Sequence, residues 1–122
     1  MGKQICVVAE DDPGNRWLFK RVLEDMGYEV FEFEDGEKAI AGMGSFPEEK
    51  TANVILTDLC MPCADGLQVI EFARKKFPRA TVILSSACIE ENQEKKAKEL
   101  EAVVLNKPFH IKDLKAIIER RG

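Results

Sequence analysis

No apolar stretch in this chain approaches the roughly 20 residues needed to cross a bilayer. The first apolar run, Ile5 to Ala9, is too short and too quickly acidic for a secretory signal. A basic surface is missing as well. The net charge is −4, and Lys95-Lys96 is diluted by Glu91, Glu94 and Glu99, so that stretch reads as a solvated helix face. Direct nucleic-acid binding by this chain is therefore not expected. His110 is the only histidine, and the C-x-x-C spacing of Cys60-Met61-Pro62-Cys63 has no second copy. A four-ligand zinc site would need Cys88 and His110 to converge on that pair. Free thiols in a reducing cytosol are the plainer reading, and a cytoplasmic protein is expected. Repeats, low-complexity tracts and linkers are absent, so residues 1–122 are expected to form one domain with its own core.

What is present is a set of short apolar runs that each end on chemistry. Ile5-Cys6-Val7-Val8-Ala9 leads into Glu10-Asp11-Asp12. Val54-Ile55-Leu56-Thr57 leads into Asp58, and Val103-Val104-Leu105-Asn106 into Lys107-Pro108. Val82-Ile83-Leu84 ends on the hydroxyls of Ser85 and Ser86. Non-alternating, β-branched runs of this length read as strands buried on both faces of a parallel sheet. Ligands of such sheets bind beyond the carboxyl ends of the strands, so acids, a hydroxyl and a lysine would meet in one pocket.

Helical segments alternate with the strands. Asp12-Pro13 is an N-cap followed by proline at the first helical position. The stripe Leu18, Phe19, Val22, Leu23 and Met26 then runs to the stop at Gly27. Tyr28 to Phe33 alternates apolar and acidic residues, as an edge strand does. Asp35-Gly36 opens a short helix to about Met43, and the third strand spans Asn53 to Thr57. Asp65-Gly66 starts a helix buried on Leu67, Val69, Ile70, Phe72 and Ala73, which ends at Pro78. A strand over Thr81–Ser85, a polar helix over Glu90–Leu100, a strand over Ala102–Leu105 and a helix from Ile111 to about Arg120 complete five βα units. Right-handed crossovers turn these into a doubly wound α/β sheet.

Glu10, Asp11 and Asp58 at adjacent strand ends would repel one another, at about 4 kcal/mol per pair at 4 Å and an effective dielectric of 20. A cation relieves that cost, and hard carboxylate oxygens with open positions favour Mg²⁺. A carboxylate beside the metal could attack phosphorus. Lys107 and a strand-four hydroxyl would then neutralise and hydrogen-bond the phosphoryl oxygens.

These residues resemble the receiver domain of bacterial two-component response regulators, the CheY-like superfamily, over essentially the whole chain. The resemblance rests on Val7 to Pro13, on Asp58-Leu59-Cys60-Met61-Pro62-Cys63-Ala64-Asp65-Gly66, on Ser86-Ala87 and on Lys107-Pro108-Phe109. It implies a (βα)5 flavodoxin-like three-layer sandwich with a parallel five-stranded sheet in the order 2-1-3-4-5. It also implies that Asp58 is the phosphoacceptor. Asp11 and the main-chain carbonyl of Cys60 would bind Mg²⁺ together with Asp58, and Glu10 would act through a metal-bound water. Lys107 would contact the phosphoryl group and Ser86 would hydrogen-bond it. The Lys107–Pro108 bond would be cis. The implied partners are a sensor histidine kinase or histidine phosphotransfer protein, and an output protein or domain. Catalysis would be limited to self-phosphorylation and dephosphorylation.

Other roles are open at several positions. Asp12 and Asp65 read as helix caps, Ser85 competes with Ser86 for the active hydroxyl, and His110 reads as a surface or capping residue. Trp17 is either half-buried or an exposed docking contact. The chain departs from the family where an aromatic usually stands (Val104) and where Gly-Ala usually precedes the last strand (Glu101-Ala102). Helix four offers only Ile89, Ala97 and Leu100 as anchors, which puts the usual output face in question. A degenerate receiver acting as a constitutive protein-binding module is the alternative. An aspartyl phosphatase would want an acid where Cys60 stands, and a redox protein would rest on Cys60 and Cys63 alone.

Overall fold

The computed structural model describes residues 2–121. Its elements alternate as β1 (Ile5–Ala9), α1 (Pro13–Asp25), β2 (Glu29–Phe33), α2 (Gly36–Gly44) and β3 (Val54–Asp58). They continue as α3 (Gly66–Lys76), β4 (Thr81–Ser86), α4 (Glu91–Glu99), β5 (Val103–Asn106) and α5 (Ile111–Arg121). The strands are parallel in the order β2-β1-β3-β4-β5, the doubly wound flavodoxin-like arrangement.

The sheet divides the core in two. Cys6, Val8, Val54, Leu56 and Ile83 face Phe19 and Leu23 of α1 and Leu114 and Ile118 of α5. Val7, Ala9, Ile55, Val82 and Leu84 face Ala39 and Met43 of α2, Val69, Ile70 and Ala73 of α3, and Ala97 of α4. Every residue of β1 and β3 is buried, as expected of central strands covered on both sides. β2, whose sequence alternates, lies at the sheet edge.

Strands three, four and five each run one residue further than the sequence pattern predicts. The ladder continues through the pairs Asp58↔Ser85 and Ser86↔Asn106, so polar residues that look like loop are held in the sheet. Tyr28, expected to open β2, instead closes the α1 cap: its N–H donates to Leu23 O (3.1 Å), while Gly27 N–H donates to Glu24 O (2.9 Å). That crossed pair of bonds needs a left-handed residue, and Gly27 supplies it at φ 98°. Leu18, expected in the packed stripe of α1, is 39% exposed, and Trp17 is 64% exposed. The inward stripe is set by Phe19 and Leu23, and Leu18 lies at its margin.

The α4–β5 junction shows how the missing Gly-Ala is replaced. Glu101 N–H donates to Lys98 O (2.9 Å) and Ala102 N–H to Ala97 O (3.0 Å), the same crossed cap as at Gly27. Here a glutamate occupies the left-handed position, at φ 58°. The Arg74 guanidinium holds the turn in place. Nε donates to Leu100 O (2.9 Å) and Nη2 to Glu101 O (3.2 Å), while Nη1 donates to Pro78 O and Ala80 O (both 2.9 Å). A left-handed non-glycine residue costs roughly 1–2 kcal/mol, of which glycine's extra unfolded-state entropy returns about 0.5–1. Glu101→Gly is therefore expected to stabilise the protein by about 0.5–1 kcal/mol in urea unfolding. Equal or lower stability would show that the turn carries no such strain.

Candidate functional site

Glu10, Asp11 and Asp58 converge beyond the carboxyl ends of β1 and β3. One carboxylate oxygen from each lies within 4.8 Å of the others, the grouping suited to a metal ion found among the described residues. Glu10 is 1% exposed and Asp58 8%, whereas Asp11 is open to solvent. Lys107 reaches in from the end of β5, with Nζ 3.4 Å from Glu10 Oε1 and 3.4 Å from Asp58 Oδ1. One ammonium thus faces two of the three carboxylates. The Lys107–Pro108 bond is cis, and the Phe109 ring beyond it stacks on Phe19 at 6.0 Å between centroids.

The loops around this pocket leave little slack. Gly66, the first residue of α3, sits where a Cβ would lie 2.3 Å from Asp58 O and 2.8 Å from Leu59 Cα. Its N–H donates to Leu59 O (2.8 Å), which closes the loop over residues 60–65. Within that loop Cys63 has φ 74°, and Ala64 N–H donates to Pro62 O (2.8 Å), a tight turn that a non-glycine residue rarely makes. Asp12 and Asp65 are helix caps. Asp12 accepts from Asn15 N–H (2.8 Å), and Asp65 accepts from Gln68 N–H (3.0 Å) while Gln68 Oε1 accepts from Asp65 N–H (3.0 Å). His110 is exposed at the start of α5, its N–H directed at Asp113 Oδ2 (3.4 Å).

Both candidate serines are buried, but their hydroxyls are used differently. Ser85 Oγ donates to Thr57 O (3.4 Å), which spends its proton on the neighbouring strand. Ser86 Oγ accepts from Cys88 N–H (3.1 Å), an arrangement that leaves its own hydrogen available. Lys107 N–H donates to Ser86 O (2.8 Å), which ties the lysine's backbone to this serine. Cys60, Cys63 and Cys88 are exposed free thiols, and Cys6 is a buried one whose pKa is driven up by desolvation.

One residue with a part in this geometry carries no signal in the motifs. Arg16, in the first turn of α1, places Nη1 2.8 Å from the carbonyl oxygen of Glu10. Its spacing of six from Glu10, one turn past the Asp12 cap, is the only sequence cue, and it takes the structure to give that cue meaning.

The family model for the response regulator receiver domain matches residues 6–119. The chain belongs to that family. A response regulator receiver protein, CpdR of Brucella abortus, is 33% identical over 116 residues, which is 93% of this chain and 92% of that protein. The DNA-binding transcriptional regulator NtrC of Salmonella typhimurium is 32% identical over 121 residues, 98% of this chain. This chain spans about a quarter of that regulator's length. Among solved structures, a response regulator receiver protein from Sinorhizobium medicae superposes with a TM-score of 0.85 at 23% identity, over 97% of this chain and 93% of that one. A response regulator from Burkholderia pseudomallei, solved with a phosphorylated aspartic acid, calcium ion and citrate, has a TM-score of 0.81 at 21% identity. That match covers 94% of this chain and 66% of the other. The protein is thus a receiver domain of the two-component response regulators, a family in which phosphorylation and Mg²⁺ are typical. Among the described residues no helix is long and apolar enough to cross a membrane.

The donor set fits the divalent cation typical of the family. Three carboxylates within 4.8 Å are hard oxygen ligands in excess of their single ammonium counter-ion, and Asp11 is open to water. Glu10 registers the crowding. Burial raises its pKa above the usual carboxylate range, and the Asp58 charge pushes the same way; the Asp12 N–H and the Lys107 ammonium oppose both. The native state therefore holds the Glu10 proton more tightly than the unfolded chain does. Its contribution to stability is full below the unfolded pKa of about 4.3 and is lost as pH rises through the native value. In metal-free protein at neutral pH, Glu10→Gln is expected to be more stable than wild type. The advantage should fade as pH falls toward 4. Urea unfolding across that range is the measurement, and an advantage that grows on acidification would contradict the assignment.

Proposed function

We propose that this receiver accepts a phosphoryl group on Asp58 from a sensor histidine kinase or histidine phosphotransfer protein, with Mg²⁺, in the cytoplasm. It then signals by binding an output protein or domain. The observation that carries this reading is the placement of Asp58 within reach of both the acid pair and Lys107. Asp11, Asp58 and the main-chain carbonyl of Cys60 would hold the metal, with Glu10 acting through a bound water. The bound cation supplies charge neutralisation for an anionic phosphodonor. The chain's own groups do the rest. An Asp58 carboxylate oxygen attacks phosphorus as the bond to the donor nitrogen breaks. Lys107, 3.4 Å from Asp58 Oδ1, is placed to neutralise the phosphoryl oxygens, and Ser86 has a hydrogen to donate to them. No separate substrate is turned over, so the activity is self-phosphorylation and dephosphorylation.

The donor's protein body has a surface to rest on. Exposed Leu18 lines an apolar hollow of about 410 Å³ together with Phe19, Pro108, Phe109, Ile111 and Lys107. Because Lys107 lines both the hollow and the acid cluster, a partner seated there brings its phosphohistidine to Asp58.

Intact mass after incubation with acetyl phosphate and Mg²⁺ tests the chemistry. Wild type is expected to gain one phosphoryl group, Asp58→Asn none, and EDTA to block the reaction. Robust modification of Asp58→Asn at another carboxylate would overturn the site. No gain in wild type would favour the degenerate receiver, a constitutive protein-binding module.

The output step is expected to lie in α4. Val104 has no ring to swing, and its β-branched side chain has few rotamers. In α4 only Ala97 is buried, and its cross-element ion pair, Lys96 to Glu71 at 3.6 Å, is exposed and weak. Arg74 pins the carbonyls at the C-terminal end of α4, leaving the N-terminal end free to move. Hydrogen exchange with a stable phosphoryl mimic should change protection over residues 87–96 and spare residues 97–101. Changes confined to β5 and α5 would refute this.

A further inference from the structure

We infer that Arg16 is a positioning residue for the metal-binding acids, acting through the peptide unit between Glu10 and Asp11. The inference rests on the reading of the acid cluster as a Mg²⁺ site. Glu10 is fastened at every polar group. Its N–H donates to Phe33 O (3.1 Å), its Oε2 accepts from Asp12 N–H (3.1 Å), and its Oε1 faces Lys107 Nζ (3.4 Å). The carbonyl is held by Arg16 Nη1 at 2.8 Å. That carbonyl lies in the same peptide plane as the Asp11 N–H, so holding it sets ψ of Glu10 and restricts where the Asp11 Cα, and the carboxylate it carries, can sit. Asp11 itself is exposed and its side chain makes no hydrogen bond among the described residues, so its direction depends on the backbone beneath it.

Arg16 is in turn oriented by a network on the sheet edge. Its Nε lies 3.4 Å from Glu32 Oε1, and Lys20 Nζ lies 3.2 Å from Glu32 Oε2. The Arg16 side chain is 18% exposed. One nitrogen of the planar fork grips a main-chain oxygen of the site while another grips a carboxylate of β2. A lysine presents one nitrogen on a flexible stem and cannot reproduce the fixed planar spacing of these two contacts. Outer contacts that orient metal ligands typically change metal affinity 10–100-fold when removed.

The test is the Mg²⁺ dissociation constant by calorimetry for wild type, Arg16→Met, Arg16→Lys, Glu32→Gln and Asp11→Ala, each checked for folding by circular dichroism. Arg16→Met is expected to weaken Mg²⁺ binding about 10–100-fold. Arg16→Lys, which keeps the charge and loses the fork, should lie close to Arg16→Met, and Glu32→Gln should fall between wild type and Arg16→Met. A purely structural role would lower the metal-free unfolding midpoint and leave the dissociation constant unchanged. Wild-type affinity in Arg16→Lys would assign the effect to charge and overturn the inference, as would unchanged or tighter binding in Arg16→Met. Should Arg16→Met not fold, Arg16→Lys decides the matter alone. If wild type itself binds no Mg²⁺, or Asp11→Ala binds it equally well, the site assignment fails and this inference with it. Normal wild-type binding with indifferent Arg16 variants would overturn only the role of Arg16.

Discussion

Like charge forced together is the constraint around which this molecule is arranged. Three carboxylates share a space under 5 Å across, and the low-dielectric ends of a buried parallel sheet do little to screen them. At about 3–4 kcal/mol per close pair, that crowding consumes a sizeable share of the stability of a small domain. It is tolerable because the surroundings are stiff. β1 and β3 are buried along their whole length, and each is hydrogen-bonded on both sides. α3 is pressed so close to Asp58 that no side chain fits at Gly66. Lys107 supplies partial neutralisation from the end of β5, backed by the stack of Phe109 on Phe19. A site built this way suits a divalent cation, which would relieve a strain already present.

Stiffness is unevenly spread. α1 and α5 close one face of the sheet over a continuous apolar layer that includes Phe19, Leu23, Leu114 and Ile118. On the other face α4 contributes a single buried residue and is otherwise polar. Its attachment is concentrated at one end, where the Arg74 guanidinium bonds four carbonyls drawn from two chain junctions. The fold therefore pairs a rigid chemical centre with one weakly held element whose far end is anchored. Local stability graded in this manner is what a signalling domain needs, since the element that moves must be cheap to move.

Two positions depart from the residue that the backbone would prefer. Cys63 and Glu101 both adopt left-handed conformations suited to glycine. In each case the neighbouring hydrogen bonds over-determine the turn. Gly66 N–H to Leu59 O closes the loop around Cys63, and Arg74 together with the α4 cap holds Glu101. The geometry is kept even though the side chains do not favour it.

The sequence by itself determined the class of the fold and the nature of the chemistry. Short β-branched runs that end abruptly on charge read as central parallel strands, and acids gathered at such ends favour a cation. Asp12 and Asp65 were legible as caps because N-capping is a local exchange between neighbours in the chain. Tertiary structure alone decided what depends on distance across the sheet. Strand ends ran one residue longer because partners on adjacent strands hold Asp58, Ser86 and Asn106 in the ladder. Leu18 proved exposed because helical periodicity gives a stripe but not its width against a particular sheet. The Ser86-Ala87 pairing favoured Ser86 in the sequence, but the physical difference from Ser85 appears only in three dimensions, where one hydroxyl meets the Thr57 carbonyl and the other the Cys88 amide. Arg16 and Arg74 carried no motif at all. Their partners are main-chain oxygens, which every residue possesses, so only proximity in three dimensions could single them out.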